Sequence, residues 1–113
     1  MMIQKSMNPL NSITPNKLQA QLLKDKAMML LDVRSPEEFA QNGRIPNALL
    51  LPLPMLSHLS HRLPQDRPLV IVCRSGRRSQ QACHLLRQQG FQNVLNLAGG
   101  LLGWQAAQLP IAI

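Results

Sequence analysis

The chain has 113 residues, 45% of them hydrophobic and 15% charged, which is apolar enough for one core and too uncharged for a disordered chain. Its formal net charge is +7, but with two Phe, one Trp and no Tyr it has no platform for stacking single-stranded bases, and no helix offers a continuous basic face to a duplex. No run approaches the ~18 apolar residues of a membrane span and Met1 to Leu10 lack a secretory apolar centre, while two cysteines suit free thiols in a reducing cytoplasm. Neither nucleic acid nor membrane is expected as a partner, and the positive charge points to a small anion.

Residues 1–11 read as a loose arm and 12–113 as one domain, with the fold starting at Ile13. Thr14 and Pro15 supply a helix cap and a proline for the first turn, and Leu18, Leu22 and Leu23 then form an apolar stripe. Residues 28–33 make a short, nearly continuous apolar run, the signature of a strand covered on both faces. Ser35, Pro36 and Glu38 follow at the spacing of a capping box, so a helix is predicted over 36–41 and ends at Asn42-Gly43. Residues 48–51 read as a second buried strand, 54–62 as a helix and 69–72 as the clearest strand in the chain, β-branched and uncharged. A helix over 78–89 stops at Gly90, a strand covers 94–97, Gly99-Gly100 makes a turn, and a last helix covers 101–108. Alternating strands and helices define an α/β domain: a small, mostly parallel sheet flanked by helices on both faces.

Cys73-Arg74-Ser75-Gly76-Arg77-Arg78-Ser79 joins the best strand to one of the best helices. Ligands of open α/β sheets bind just beyond the carboxyl ends of strands, which is where Cys73 falls. The chain must turn into a helix within a few residues, and Gly76 is free to take the backbone angle this needs. The loop amides would then converge on the sulfur at a helix N-terminus, reinforced by the arginines. Such surroundings lower a thiol pKa and make the thiolate available as a nucleophile.

Other candidates carry plainer readings. Cys83 lies about five residues into the predicted helix, roughly 7–8 Å from its start, too far for a disulfide with Cys73 without unwinding; with Ala82 and Leu86 it fits the inward stripe. His58, His61 and His84 lack companion ligands, so no metal site is predicted. Trp104 reads as a core anchor. Asp32 either pairs with an arginine to organise the loop or orients backbone, and Arg34 either faces the anion entrance or makes a surface salt bridge with Glu37 or Glu38.

The loop from Cys73 to Ser79 resembles the active-site loop of rhodanese domains, Cys-Arg-Ser-Gly-x-Arg-Ser. Leu31-Asp32-Val33-Arg34 is similar to the family's Asp-x-Arg segment, and Glu37-Glu38-Phe39 to its acidic-aromatic helix start. Gly43-Arg44-Ile45-Pro46-Asn47-Ala48 resembles its Gly-His-Ile-Pro-Gly-Ala turn, and Gly90-Phe91, Val94, Leu97, Gly99-Gly100 and Trp104 its C-terminal pattern. The resemblance spans about residues 12–110. Arg44 replaces the usual histidine and adds a positive charge. Asn47 replaces glycine, a mild change because Asn tolerates the left-handed conformation.

The resemblance implies a sulfurtransferase without a cofactor. Cys73 would take the outer sulfur of a thiosulfate-like donor as a persulfide and pass it to a thiol, cyanide or protein-thiol acceptor. Arg74, Ser75, Gly76, Arg77, Arg78 and Ser79 would bind the donor, supported by Asp32, Arg34 and Arg44. Two alternatives use the same loop. One is a persulfide carrier or interaction module serving a partner protein. The other is a cysteine phosphatase or arsenate reductase, whose loop has five residues between cysteine and arginine; here four separate Cys73 from Arg78, a cradle sized for one sulfur.

Overall fold

The computed structural model describes residues 11–113. Of the arm expected over 1–11, all but Asn11 lies outside the described residues. The elements run β1 (Ser12–Ile13), α1 (Pro15–Lys24), β2 (Met29–Asp32), α2 (Pro36–Gln41), β3 (Leu49–Leu50), α3 (Leu56–Leu59), β4 (Leu69–Val72), α4 (Arg77–Gln88), β5 (Val94–Leu97) and α5 (Gly100–Ala106). The five strands form one sheet in the order β1-β5-β4-β2-β3, and every ladder is parallel.

The apolar runs follow from this layering. Side chains alternate across a strand, so each central strand supplies both faces of the sheet. Leu31, Leu69 and Ile71 pack on one side with Leu56, Ala82 and Leu86. Leu30, Val70 and Val72 pack on the other with Leu18, Leu101 and Trp104. α3 and α4 therefore cover one face, and α1 and α5 the other. Trp104 is buried and donates its indole N–H to the Pro110 carbonyl at 2.7 Å, the core anchor the sequence indicates.

Caps follow their sequence signals. Thr14 caps α1, and Ser35 and Glu38 form the reciprocal capping box of α2. Asn47 has φ +70°, the left-handed conformation that Asn accepts where the resembled motif has glycine.

Four expectations change. No sequence pattern marks β1 as a strand; two residues beside β5 suffice for Ser12 and Ile13 to extend the sheet. β3 is a two-residue edge strand paired only with β2, so Leu49 remains 51% exposed instead of buried. The helix over 54–62 is three short pieces, with 3₁₀ turns at Leu53–Met55 and Ser60–Arg62 flanking α3. Pro54, which has no N–H, sits in the first of these. The last helix also ends sooner, at Ala106, and Gln108 takes a positive φ of 60°.

Candidate active site

Cys73 follows the last residue of β4 and is 1% exposed. Its Sγ lies 3.1 Å from the Gly76 amide and 3.3 Å from both the Ser79 amide and the Ser79 hydroxyl. Burial pushes the thiol pKa up, but hydrogen bonds from the Ser79 hydroxyl and the amides of Ser79, Gly76 and Ser75 outweigh it. The balance leaves the thiol below its ordinary value, because each of these bonds favours the charged form.

Backbone geometry explains why the amides converge. Gly76, the cap of α4, has φ +103°, a value that L side chains rarely adopt. On the far side of the loop, the first amides of α5 hold its carbonyls: Leu101 N–H donates to Cys73 O at 2.8 Å and Leu102 N–H to Arg74 O at 3.0 Å. In a trans peptide the C=O and the following N–H point opposite ways. Anchoring the Arg74 carbonyl on α5 therefore turns the Ser75 N–H toward the sulfur. The approach is close enough that a Cβ on Gly100 would lie 2.5 Å from both the Cys73 and the Arg74 oxygens, which is why a glycine opens α5.

Arg74, Ser75 and Arg77 are exposed on the rim, and Gly76 and Ser79 are buried within it. Arg78 is half-buried and commits both terminal nitrogens to Glu38, Nη1 to Oε1 at 2.7 Å and Nη2 to Oε2 at 2.9 Å. The Arg78 guanidinium is the main reason the Glu38 carboxyl is held down at about 2. Glu38, read from sequence as a cap or as a partner of Arg34, thus joins α2 to the start of α4.

Asp32 and Arg34 form a buried pair, 0% and 1% exposed, with Arg34 Nε donating to both carboxylate oxygens and Nη2 to Oδ2, at 2.9–3.1 Å. Arg34 Nη2 also donates to the Gly43 carbonyl at 2.8 Å. Arg34 therefore neither faces an anion entrance nor bridges to the carboxylate of Glu37 or Glu38. A guanidinium so deep in the domain requires a carboxylate beside it, and Asp32 takes that place. Arg44 stacks over Phe39, 4.9 Å from the ring centre, and donates to the Phe39 carbonyl at 3.0 Å. It secures α2 to the following loop.

Sequence reasoning missed Asn96. Its Nδ2 donates to the Gly76 carbonyl at 3.1 Å and its Oδ1 accepts from Ser79 Oγ at 2.5 Å. The signal was present, since Asn96 is the one polar residue in Val94-Leu95-Asn96-Leu97. Cys83 is a buried free thiol, with burial pushing it up to about 12. His58, His61 and His84 are exposed. Among the described residues no helix is long and apolar enough to cross a membrane.

A parallel α/β sheet with a cysteine at a strand end, enclosed by the amides of a strand-to-helix loop, defines a class of thiol-bearing domain. Similarity to known proteins identifies which one. Residues 14–107 match the rhodanese-like domain, and the chain belongs to that family. It is 46% identical to a sulfurtransferase of Allochromatium vinosum over 89% of this chain and 94% of that protein. It is 36% identical to the thiosulfate sulfurtransferase GlpE of Shewanella oneidensis, over 89% and 98%. A crystal structure of a rhodanese-related protein from Thermoplasma volcanium superposes with a TM-score of 0.82 at 30% identity, covering 90% of this chain and 97% of that one.

Proposed function

We infer that the chain is a sulfurtransferase in which Cys73 carries sulfur as a persulfide. The observation that bears most weight is the convergence of the Gly76 and Ser79 amides on a buried sulfur whose thiol is held below its ordinary value. Family membership and relatives named as sulfurtransferases support sulfur transfer as the class of reaction.

The cycle balances without an external oxidant. The Cys73 thiolate attacks the outer sulfur of thiosulfate, an Sγ–S bond forms, the sulfur–sulfur bond of the donor breaks, and its electron pair leaves with sulfite. An acceptor thiolate or cyanide then attacks the outer sulfur of the persulfide and regenerates the Cys73 thiolate. No proton is needed by the leaving group. Arg74 and Arg77 on the exposed rim supply positive charge where an anionic donor enters, and the Arg78–Glu38 pair holds the helix start that presents the amides. The Asp32–Arg34 pair ties the end of β2 to the Gly43 carbonyl. Residues 12–113 would act as one unit, with a thiol, cyanide or protein thiol as acceptor in the reducing cytoplasm.

The test is intact mass after incubation with thiosulfate. One sulfur should be gained on Cys73, removed by cyanide and absent in Cys73→Ser. Thiosulfate:cyanide transfer retained in that variant would end this reading.

A further inference from the structure

The amide of Asn96 reaches the reactive sulfur through Ser79. Its orientation is fixed: turning it over would set Oδ1 against the Gly76 carbonyl, two acceptors with no proton between them. Oδ1 therefore faces Ser79 Oγ and can only accept. Ser79 has one hydroxyl proton and stands between two claimants, Asn96 Oδ1 and the Cys73 sulfur 3.3 Å away.

With the sulfur as a thiol, all groups are satisfied in one direction. S–H donates to Ser79, Ser79 donates to Asn96, and Asn96 donates to the Gly76 carbonyl. With the sulfur as a thiolate, the Ser79 proton must leave Asn96 to reach it. We propose that Asn96 is a positioning residue that competes with Cys73 for the Ser79 hydroxyl proton and so restrains the thiolate that the backbone amides favour. The role rests on the sulfur-transfer reading above and deepens it. A thiolate's nucleophilicity falls as its pKa falls, so Asn96 keeps the sulfur from becoming too well stabilised to attack.

Other charges face this cluster. Arg78 on α4 acts on the sulfur while held by Glu38 of α2, the Asp32–Arg34 pair ends β2, and Cys83 lies on α4 as a neutral thiol at ordinary pH. All of them remain in the variants below, so a changed profile reports on Ser79.

The experiment follows the rate of Cys73 alkylation by iodoacetamide against pH in the full chain, for wild type, N96A and N96L, alone and on an S79A background. Freed from Asn96, the Ser79 hydroxyl donates to the thiolate, so the midpoint should fall by about half a unit; with the lower nucleophilicity of the better-stabilised thiolate included, alkylation below it should be roughly twofold faster. On the S79A background N96A should move the midpoint no further. A merely structural role gives the opposite sign, because a loosened Gly76 withdraws its amide and raises the midpoint. A midpoint unmoved or raised in a variant that keeps the wild-type thermal transition overturns the proposal. So does an equal shift with and without Ser79, or loss of folding in both Asn96 variants. Sulfur uptake by the wild type separates the two readings. A lowered midpoint without uptake keeps the Asn96 role and removes sulfur transfer, whereas uptake with an unmoved midpoint does the reverse.

Discussion

Cys73 and Cys83 are each 1% exposed and belong to the same apolar cluster, yet their thiols move in opposite directions. Cys83 sits inside α4, where the backbone amides are spent on the helix's own carbonyls, and burial lifts it to about 12 with only the Arg87 charge pulling back. Cys73 sits one loop earlier, where amides have no helical partner and turn toward the sulfur instead. Burial alone makes a cysteine inert. The same burial surrounded by unclaimed N–H groups favours the charged form, and the difference between the two sites is where the backbone donors point.

The most severe way to break this comparison is Cys73→Ser, which should abolish sulfur uptake from thiosulfate, while Cys83→Ala should retain it. Loss of uptake in Cys83→Ala, read by intact mass, would mean the two thiols share the work. Next in size is Gly100→Ala. Its Cβ would press on the Cys73 and Arg74 carbonyl oxygens at 2.5 Å, so the loop must shift, at a cost on the order of 1–3 kcal/mol. The thermal midpoint should fall and Cys73 alkylation at pH 7 should slow several-fold; an unchanged alkylation rate would detach the amide geometry from reactivity.

Glu38→Gln is a gentler probe of the same frame. Its carboxyl is lowered from 4.5 to about 2, so its contribution is complete above pH 4.5 and is lost as pH falls toward 2. Urea titrations across that window should show wild type losing stability more steeply than the variant. At neutral pH the difference should stay under ~1 kcal/mol, because the pair is partly solvated. The effect of Cys83→Ala on the pH dependence of stability should be confined to the range between pH 9 and 12. The raised thiol stabilises the fold below its unfolded value near 9, and that contribution disappears as pH rises through 12. The variant should lack this alkaline slope in a denaturation series.

What sequence could supply differed by element. The loop from Cys73 to Ser79 was legible because its parts are contiguous and each has a local reason, and the same holds for the capping box of Ser35 and Glu38. The α/β class followed from runs such as Leu69–Val72, whose lack of alternation implies cover on both faces. Residues whose roles depend on distant partners were not legible. Glu38 and Arg78 are 40 positions apart, and Asn96 comes 17 after Ser79. Arg34 was misplaced because an arginine at a strand end commonly points outward, and only the closed core around Asp32 turns it in. Ser12–Ile13 was too short to leave a periodic signal, and strand order decided that Leu49 would lie at an edge.

The bond between α5 and the cysteine loop bears on when the protein acquires its chemistry. Cys73 leaves the ribosome before Asn96, Leu101 and Leu102, and synthesis proceeds at roughly 5–20 residues per second. For that interval the loop carbonyls have nothing to hold them, and the sulfur is an ordinary thiol on an unfinished chain. A peptide cut from residues 73–79 would stay in that condition. The lowered thiol is thus a property of the folded domain, in which α4 supplies the donors and α5 holds the loop that aims them.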